Sequence, residues 1–336
     1  MPIGTGSVET RENIVALTMQ GISELLKEYQ TLGRPGIVRV VLASPWYTAK
    51  IRSISSKAPK PVKVNRASIG KSIQDLREKN TDAVGPGGRR IESVVTQVYV
   101  NGYPTTLERT VMGSTLRIHL YESDADSAFL DGVLTTVTKM YPGVKVSFHS
   151  FPLLTYAVLR DIRDEENFTF LDIGGEVTDV AVVHRNSLRY LASFPKGSLF
   201  LVRSAGDGKN IADSASRLSL YAKGELSTEE SSLFAKKFAD ALAPWNADYE
   251  KTIETAMVET AIPQTTFLAT DKDELIWFMK ALESVKGIFP IRSVPMTPDF
   301  FQGSIQLGES GMYDSFLSIG ALYFESASHE FFDVAK

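Results

Sequence analysis

The chain has 336 residues, 43% of them apolar and 23% charged, with a net charge of −4 and no cysteine. This is the composition of an ordinary globular protein with room for two or three subdomains. It excludes disulfides and thiolate metal sites, argues against a nucleic-acid footprint, and offers no run of ~20 apolar residues able to span a bilayer. The first residues, MPIGTGSVETRE, lack the basic and apolar regions of a secretion signal, so a cytoplasmic location is expected.

From about Glu12, residues Ile14, Leu17, Gly21, Ile22, Leu25 and Leu26 recur at helical spacing, and the cluster Gly33-Arg34-Pro35-Gly36 ends that helix. Ile37 to Leu42 reads as a short strand. Ser44-Pro45-Trp46-Tyr47 then opens a stretch of short elements reaching about Tyr121. In it, Asn65 caps a helix bearing Ile69, Ile73 and Leu76, and Gly85-Pro86-Gly87-Gly88 is a loop. Ile91–Val100, Thr106–Val111 and Thr115–Tyr121 are strands, with the turn dipeptide Asn101-Gly102 among them. Trp46 is expected to pack internally rather than to present itself to a partner.

Ser123 and Asp126 look like a capping pair ahead of Phe129, Leu130, Val133, Leu134 and Val137, and Pro142-Gly143 ends that helix. Val144–Phe148 is strand-like and Pro152–Arg163 helical. Three strands follow: Phe168–Asp172, Val177–His184 and Leu188–Phe194, with turns at Gly174-Gly175 and Arg185-Asn186. The remainder is mainly helical. Ser227 and Glu230 form a capping box before Leu233, Phe234 and Phe238, and Tyr249, Ile253 and Met257 make a second stripe. Thr265–Ala269 is a strand leading into a helix begun by Thr270 or Asp271, and Phe316, Ile319, Leu322 and Tyr323 mark the last helix.

One segment carries chemistry. In Phe170-Leu171-Asp172-Ile173-Gly174-Gly175-Glu176-Val177-Thr178-Asp179, a strand delivers an aspartate, two glycines follow, and an alternating strand returns. Glycines let successive N–H groups converge on a phosphate, Asp172 would face a bound Mg²⁺ through its waters, and Thr178 could donate its hydroxyl. The plain alternative is a β-hairpin whose turn needs glycine.

The full string resembles the second phosphate-binding hairpin of the actin/Hsp70/sugar-kinase superfamily, in its FtsA and PilM branch. Pro195-Lys196-Gly197 after the hairpin and the closing Asp314–Gly320 helix fall in the same order as in that branch. The resemblance implies an α/β actin-like ATPase fold with an inserted small α+β subdomain at residues 44–122. Residues 1–43, 123–166 and about 313–336 would then form an incomplete subdomain I, lacking its first strands, and 167–312 subdomain II. The implied nucleotide-binding residues are Asp172, Gly174, Gly175, Thr178 and Gly197, with Asp172 toward Mg²⁺.

The departures from that pattern matter for function. The branch opens with an Asp-x-Gly hairpin, whereas here Ile3-Gly4-Thr5-Gly6 follows Pro2 and reads as a flexible lead. Phe151-Pro152-Leu153-Leu154 stands where the branch has Glu-Pro-x-Ala, and the nearby His149 reads as structural. Ser216-Arg217-Leu218-Ser219 replaces the adenosine-contacting Glu-x-x-Lys, and Thr270-Asp271 replaces the Gly-Gly that admits adenosine. Glu176 replaces a third glycine and puts a negative charge beside the cradle. Phosphoryl transfer needs several such parts at once. The expectation is therefore a scaffold or adaptor in bacterial cell division or type IV pilus assembly, with weak or lost ATP/Mg²⁺ binding and no ATP hydrolysis. Its partners would be other proteins or copies of itself, and it would meet the inner membrane only through a partner. The final residues have no basic amphipathic face to serve as an anchor. The competing reading is an ATP-dependent phosphotransferase or ATPase of the same superfamily.

Overall fold

A computed structural model describes residues 8–79, 84–106, 109–206, 210–285, 291–305, 314–326 and 331–333. Ile3-Gly4-Thr5-Gly6 lies outside them. The chain divides into two compact units, residues 1–153 with 330–336, and residues 154–329.

The first unit opens with α1 (Val8–Glu28) and β1 (Ile37–Leu42), continues through β2 (Tyr47–Val64), α2 (Arg66–Lys79), β3 (Gly88–Val100), β4 (Tyr103–Thr105) and β5 (Val111–Asp126), and closes with α3 (Ser127–Met140) and β6 (Lys145–Ser150). β1 and β6 run parallel, from Ile37 beside Lys145 to Leu42 beside Ser150. α1 and α3 pack on the apolar cluster of Leu42, Phe129, Leu130, Val133 and Val137. α1 buries Val15, Met19, Ile22 and Leu26 there, so its packed stripe lies beside the one expected, and Ile14, Leu17 and Leu25 are exposed. Trp46 stacks on Phe129 with ring centroids 4.2 Å apart.

β2, β3 and β5 build an antiparallel sheet. β5 lies between β2 and β3, and β4 and the two-residue strand Phe332–Asp333 pair with β3. α2 covers one face, setting Ile69 and Ile73 against Val95, Val98, Ile118 and Leu120. Asn65 caps α2 as expected, its side chain accepting from the Ser68 amide at 3.0 Å. Two corrections belong here. The 18-residue β2 runs where only short elements were expected. Of the strand expected at Thr106–Val111 only Val111 lies in a strand, as the start of β5, with β4 ending just before it at Thr105 and residues 107–108 outside those described. Ser123 is not a cap. Asp126 alone caps α3, accepting from the Phe129 amide at 2.9 Å, while Ser123 lies within β5 and donates to Glu92.

The second unit follows α4 (Phe151–Ile162), within which the division falls. It holds β7 (Phe168–Ile173), β8 (Thr178–His184), β9 (Ser187–Phe194), α5 (Ser198–Ala205), α6 (Ile211–Lys223), α7 (Thr228–Glu259), β10 (Thr265–Ala269), α8 (Leu275–Ser284), β11 (Arg292–Pro295) and α9 (Ser315–Glu325). The sheet order is β11-β10-β7-β8-β9, with β11, β10 and β7 parallel and β7, β8 and β9 an antiparallel meander. Arg185 and Asn186, at φ 52° and 55°, make the tight turn between β8 and β9. The two stripes expected after Ser227 lie on one helix: α7 runs 32 residues through Pro244. Its buried side, Phe234, Phe238, Leu242, Trp245, Tyr249 and Ile253, packs with Leu171, Val180, Phe194 and Phe278. The helix expected at Thr270 or Asp271 begins at Leu275, after a turn in which the Asp271 carbonyl accepts from Glu274 and Leu275.

Candidate functional site

The Asp172–Thr178 hairpin sits where β7 ends and β8 begins. Asp172 is the register partner of Asp179 on β8 and of Ala269 on β10. Part of the Asp172 residue reaches solvent, whereas Asp179 is fully buried. Burial pushes the Asp172 carboxyl well above the usual carboxylate range, and the negative charge of Asp179 acts in the same direction.

Gly174 and Gly175 are half-buried, and neither has a positive φ. Their shape has another cause. The Gly174 amide donates to Val177 at 3.0 Å, closing the turn on itself. The first two amides of α5, Ser198 and Leu199, donate to the carbonyls of Gly174 and Gly175 at 3.0 and 2.8 Å. Helix N-termini normally leave such amides free for a cap or an anion; here the hairpin itself takes them. Gly197 allows the approach, because a Cβ there would overlap the Gly174 carbonyl oxygen and lie 2.7 Å from the Gly175 carbonyl carbon. A Cβ on Gly175 would crowd Leu199 at 3.1 Å.

Thr178 is not presented to an incoming group. It is fully buried, its hydroxyl donates to the Lys196 carbonyl at 2.7 Å, and it accepts from the Trp245 indole at 3.1 Å. That hydroxyl ties the hairpin to α7. Lys196 itself pairs with Asp248. The charge of Glu176 is answered: Arg203 on α5 donates to both its carboxylate oxygens, at 2.8 and 2.6 Å. Glu274 is a residue the sequence reading did not single out. Burial pushes its carboxyl up to about 7, with hydrogen bonds from Ser198 and Thr270 opposing and Asp271 and Asp273 adding to the rise. Its link to Ser198 places this carboxyl at the N-terminal end of α5. Among the described residues, no group of three or more His, Asp or Glu is arranged to hold a metal ion.

The first unit holds a separate buried polar centre. Glu92 accepts from Ser123 at 2.8 Å, from the Ser150 amide at 3.1 Å and from the Ser150 hydroxyl, and His149 Nδ1 lies 3.4 Å from its other oxygen. His149 Nε2 shares a hydrogen bond with Ser147 at 3.0 Å, and the Tyr121 and Ser150 hydroxyls are 2.7 Å apart. On β5, Glu122 pairs with Arg52 at 2.8 Å and with Arg90, with Arg77 at 3.9 Å. No sequence motif marks these residues, since their partners converge from separate strands.

The sequence matches no family model and no curated protein sequence. The fold does have solved likenesses. A chain of the PilM–PilN type IV pilus biogenesis complex superposes with a TM-score of 0.57 at 14% identity, covering 86% of this chain and 79% of that one. The ethanolamine utilization protein EutJ from Carboxydothermus hydrogenoformans is a more distant likeness, at TM-score 0.33 and 13% identity over 50% of this chain and 55% of that one. A Bacteroides thetaiotaomicron protein with an actin-like ATPase fold and unknown function gives 0.29 at 12% identity, over 78% and 73%. The fold of this chain is the actin-like one that its sequence led us to expect. No helix among the described residues is long and apolar enough to cross a membrane.

Proposed function

We propose that this chain is an actin-like scaffold of type IV pilus assembly, working through protein–protein contacts with nucleotide binding weak or lost. The observation that carries the reading is the state of the hairpin. The two α5 amides best placed for a phosphate already bond the glycine carbonyls, and Thr178 spends its hydroxyl on Lys196 and Trp245. Asp172, Asp179 and Glu274 put carboxylates around that end of the sheet, and the nearby cations Arg203 and Lys196 are already paired with Glu176 and Asp248. This arrangement supports a hairpin used as an internal joint. Should a nucleotide bind, Asp172, Gly174, Gly175 and Gly197 are the residues to meet it, with Asp172 reaching Mg²⁺ through water. The fold likeness to the PilM–PilN complex favours pilus assembly over cell division. A partner would then hold the chain at the inner membrane face, and self-association is compatible with the same role.

Calorimetric titration of Mg-ATP into the purified chain tests the nucleotide half of the reading; no heat and no hydrolysis above buffer are expected. A micromolar dissociation constant abolished by Asp172→Ala would return the chain to the ATPase or phosphotransferase class. The partner half is tested by measuring binding to the PilN-type protein of the same genome. Saturable binding unaffected by ATP is expected, and no binding would remove the pilus assignment.

A further inference from the structure

Charge is unevenly spread along the chain. Residues 29–74 contain nine Lys and Arg and no Asp or Glu, although the whole chain carries −4. The first unit holds twenty Lys and Arg against fifteen Asp and Glu, and the second sixteen against twenty-five. The structure gathers part of this basic stretch at one end of the β2-β3-β5 sheet, where residues 57–64 of β2 pair with residues 111–115 of β5. Lys57, Lys60, Lys63 and Lys71 are exposed, as is Arg117 two residues further along β5. None of the five makes an ion pair or side-chain hydrogen bond among the described residues. The arginines that brace the sheet, Arg52, Arg77 and Arg90, are different residues and are occupied by Glu122, Ser93 and Asp124. The free lysines therefore add nothing to the fold through pairing, and their mutual repulsion is a cost.

Apolar side chains are exposed at the same end: Val62 is 49%, Met112 54% and Tyr103 75% exposed. Glu108 is the one acidic residue between Ile91 and Glu122 other than Glu92, and it lies outside the described residues. β2 is an edge strand, yet Pro59 and Pro61 remove two amides from that edge and the register breaks between Lys57 and Val62. A peptide cannot extend the sheet there by backbone pairing, because Pro offers no N–H. What remains is a sheet end that carries flexible cations and apolar tips on both faces, Val62 in register with Gly113 on one and Met112 with Lys63 on the other. Anionic bilayers attract such cations and accept such tips at the headgroup boundary. A nucleic acid would use the cations but has no place for an isolated Val and Met.

We propose that this end of the sheet, which carries Lys57, Lys60, Lys63, Arg117, Val62 and Met112, docks end-on against an anionic phospholipid surface. This goes beyond recruitment through a partner and does not depend on it. The experiment is co-sedimentation of the full chain with phosphatidylcholine vesicles, with and without phosphatidylglycerol, at low and high salt. Binding to the anionic vesicles alone, lost at high salt, is expected. The triple variant K57Q/K60Q/K63Q should weaken it about a hundredfold. The V62S/M112S pair should weaken it with charge unchanged, and circular dichroism keeps each comparison among folded proteins. Three results would overturn the proposal: no binding to anionic vesicles, binding untouched by the triple variant, or duplex DNA bound as tightly as the vesicles with no effect of V62S/M112S.

Discussion

The two units bury carboxylates in opposite ways. In the first, Glu122 has Arg52 and Arg90, and Glu92 has two serine hydroxyls, an amide and His149. In the second, Asp172 sits in register with another aspartate, and Glu274 is crowded by Asp271 and Asp273. A compensated buried charge holds strands together; one driven toward its neutral form lowers stability at neutral pH. The contrast teaches that the residues most suggestive in sequence lie where the charges are poorly matched, and that the best-matched ones carry no motif.

The sharpest attack on the second unit goes through its apolar joint. Trp245 is fully buried, stacked on Tyr249 with centroids 5.6 Å apart and tilted against Phe278 at 5.2 Å. Trp245→Ala should cost about 4 kcal/mol in urea unfolding, as a large-to-small core change does. In the first unit, Glu122→Gln should cost about 3 kcal/mol, because it removes the buried charge that Arg52 and Arg90 share, though Arg90 keeps Asp124. An Asp172→Asn change of similar cost would break the comparison between units, since neutralising Asp172 should stabilise the protein at pH 7.

Thr178→Val comes next, at about 2 kcal/mol, because it strands the Trp245 indole N–H in the core. A cost near zero would mean that the hydroxyl is not the tie described.

The Glu274 carboxyl gives a smaller, pH-dependent effect. Unfolded, it titrates at its ordinary 4.5; folded, it titrates at about 7. Between these values the folded chain holds a proton that the unfolded chain has released. Its contribution is full below 4.5, declines as pH rises through that window, and is gone above about 7. The Tm of wild type should therefore fall more steeply across this range than that of Glu274→Gln, and the variant should be the more stable at pH 8. Parallel Tm curves would show that Glu274 does not titrate in this window.

What the sequence could tell depended on how local each signal was. The β7-β8-β9 meander, the Ser227–Glu230 capping box and the Asn65 cap were legible, because each is written within a few residues. β2 was not. On an edge strand, Ser, Lys and Pro are tolerated where an inner strand would need apolar side chains and every amide, so its sequence reads as loop. Asp172 and the glycines stand out in one short string, but the contacts of Thr178 were hidden, since its partner Trp245 lies 67 residues away. Ser150 and Glu92, 58 residues apart, are hidden for the same reason.

The smallest expected effect is the one that separates charge from geometry at the hairpin. Glu176 and Arg203 are 53% and 44% exposed at their side chains, so their pairing is screened by water. Glu176→Gln should change stability by less than about 0.5 kcal/mol. It also removes the negative charge that replaces a glycine in the resembling motif and frees Arg203 to meet an anion. If charge were the chief obstacle to phosphate, this variant would gain Mg-ATP affinity. The hydrogen bonds argue otherwise, because the Ser198 and Leu199 amides stay on the Gly174 and Gly175 carbonyls whatever residue 176 carries. The calorimetric titration of Glu176→Gln with Mg-ATP should therefore be as flat as that of wild type. A micromolar isotherm would show that the cradle is intact and that one carboxylate closes it, and the hairpin would then belong with the nucleotide sites it resembles.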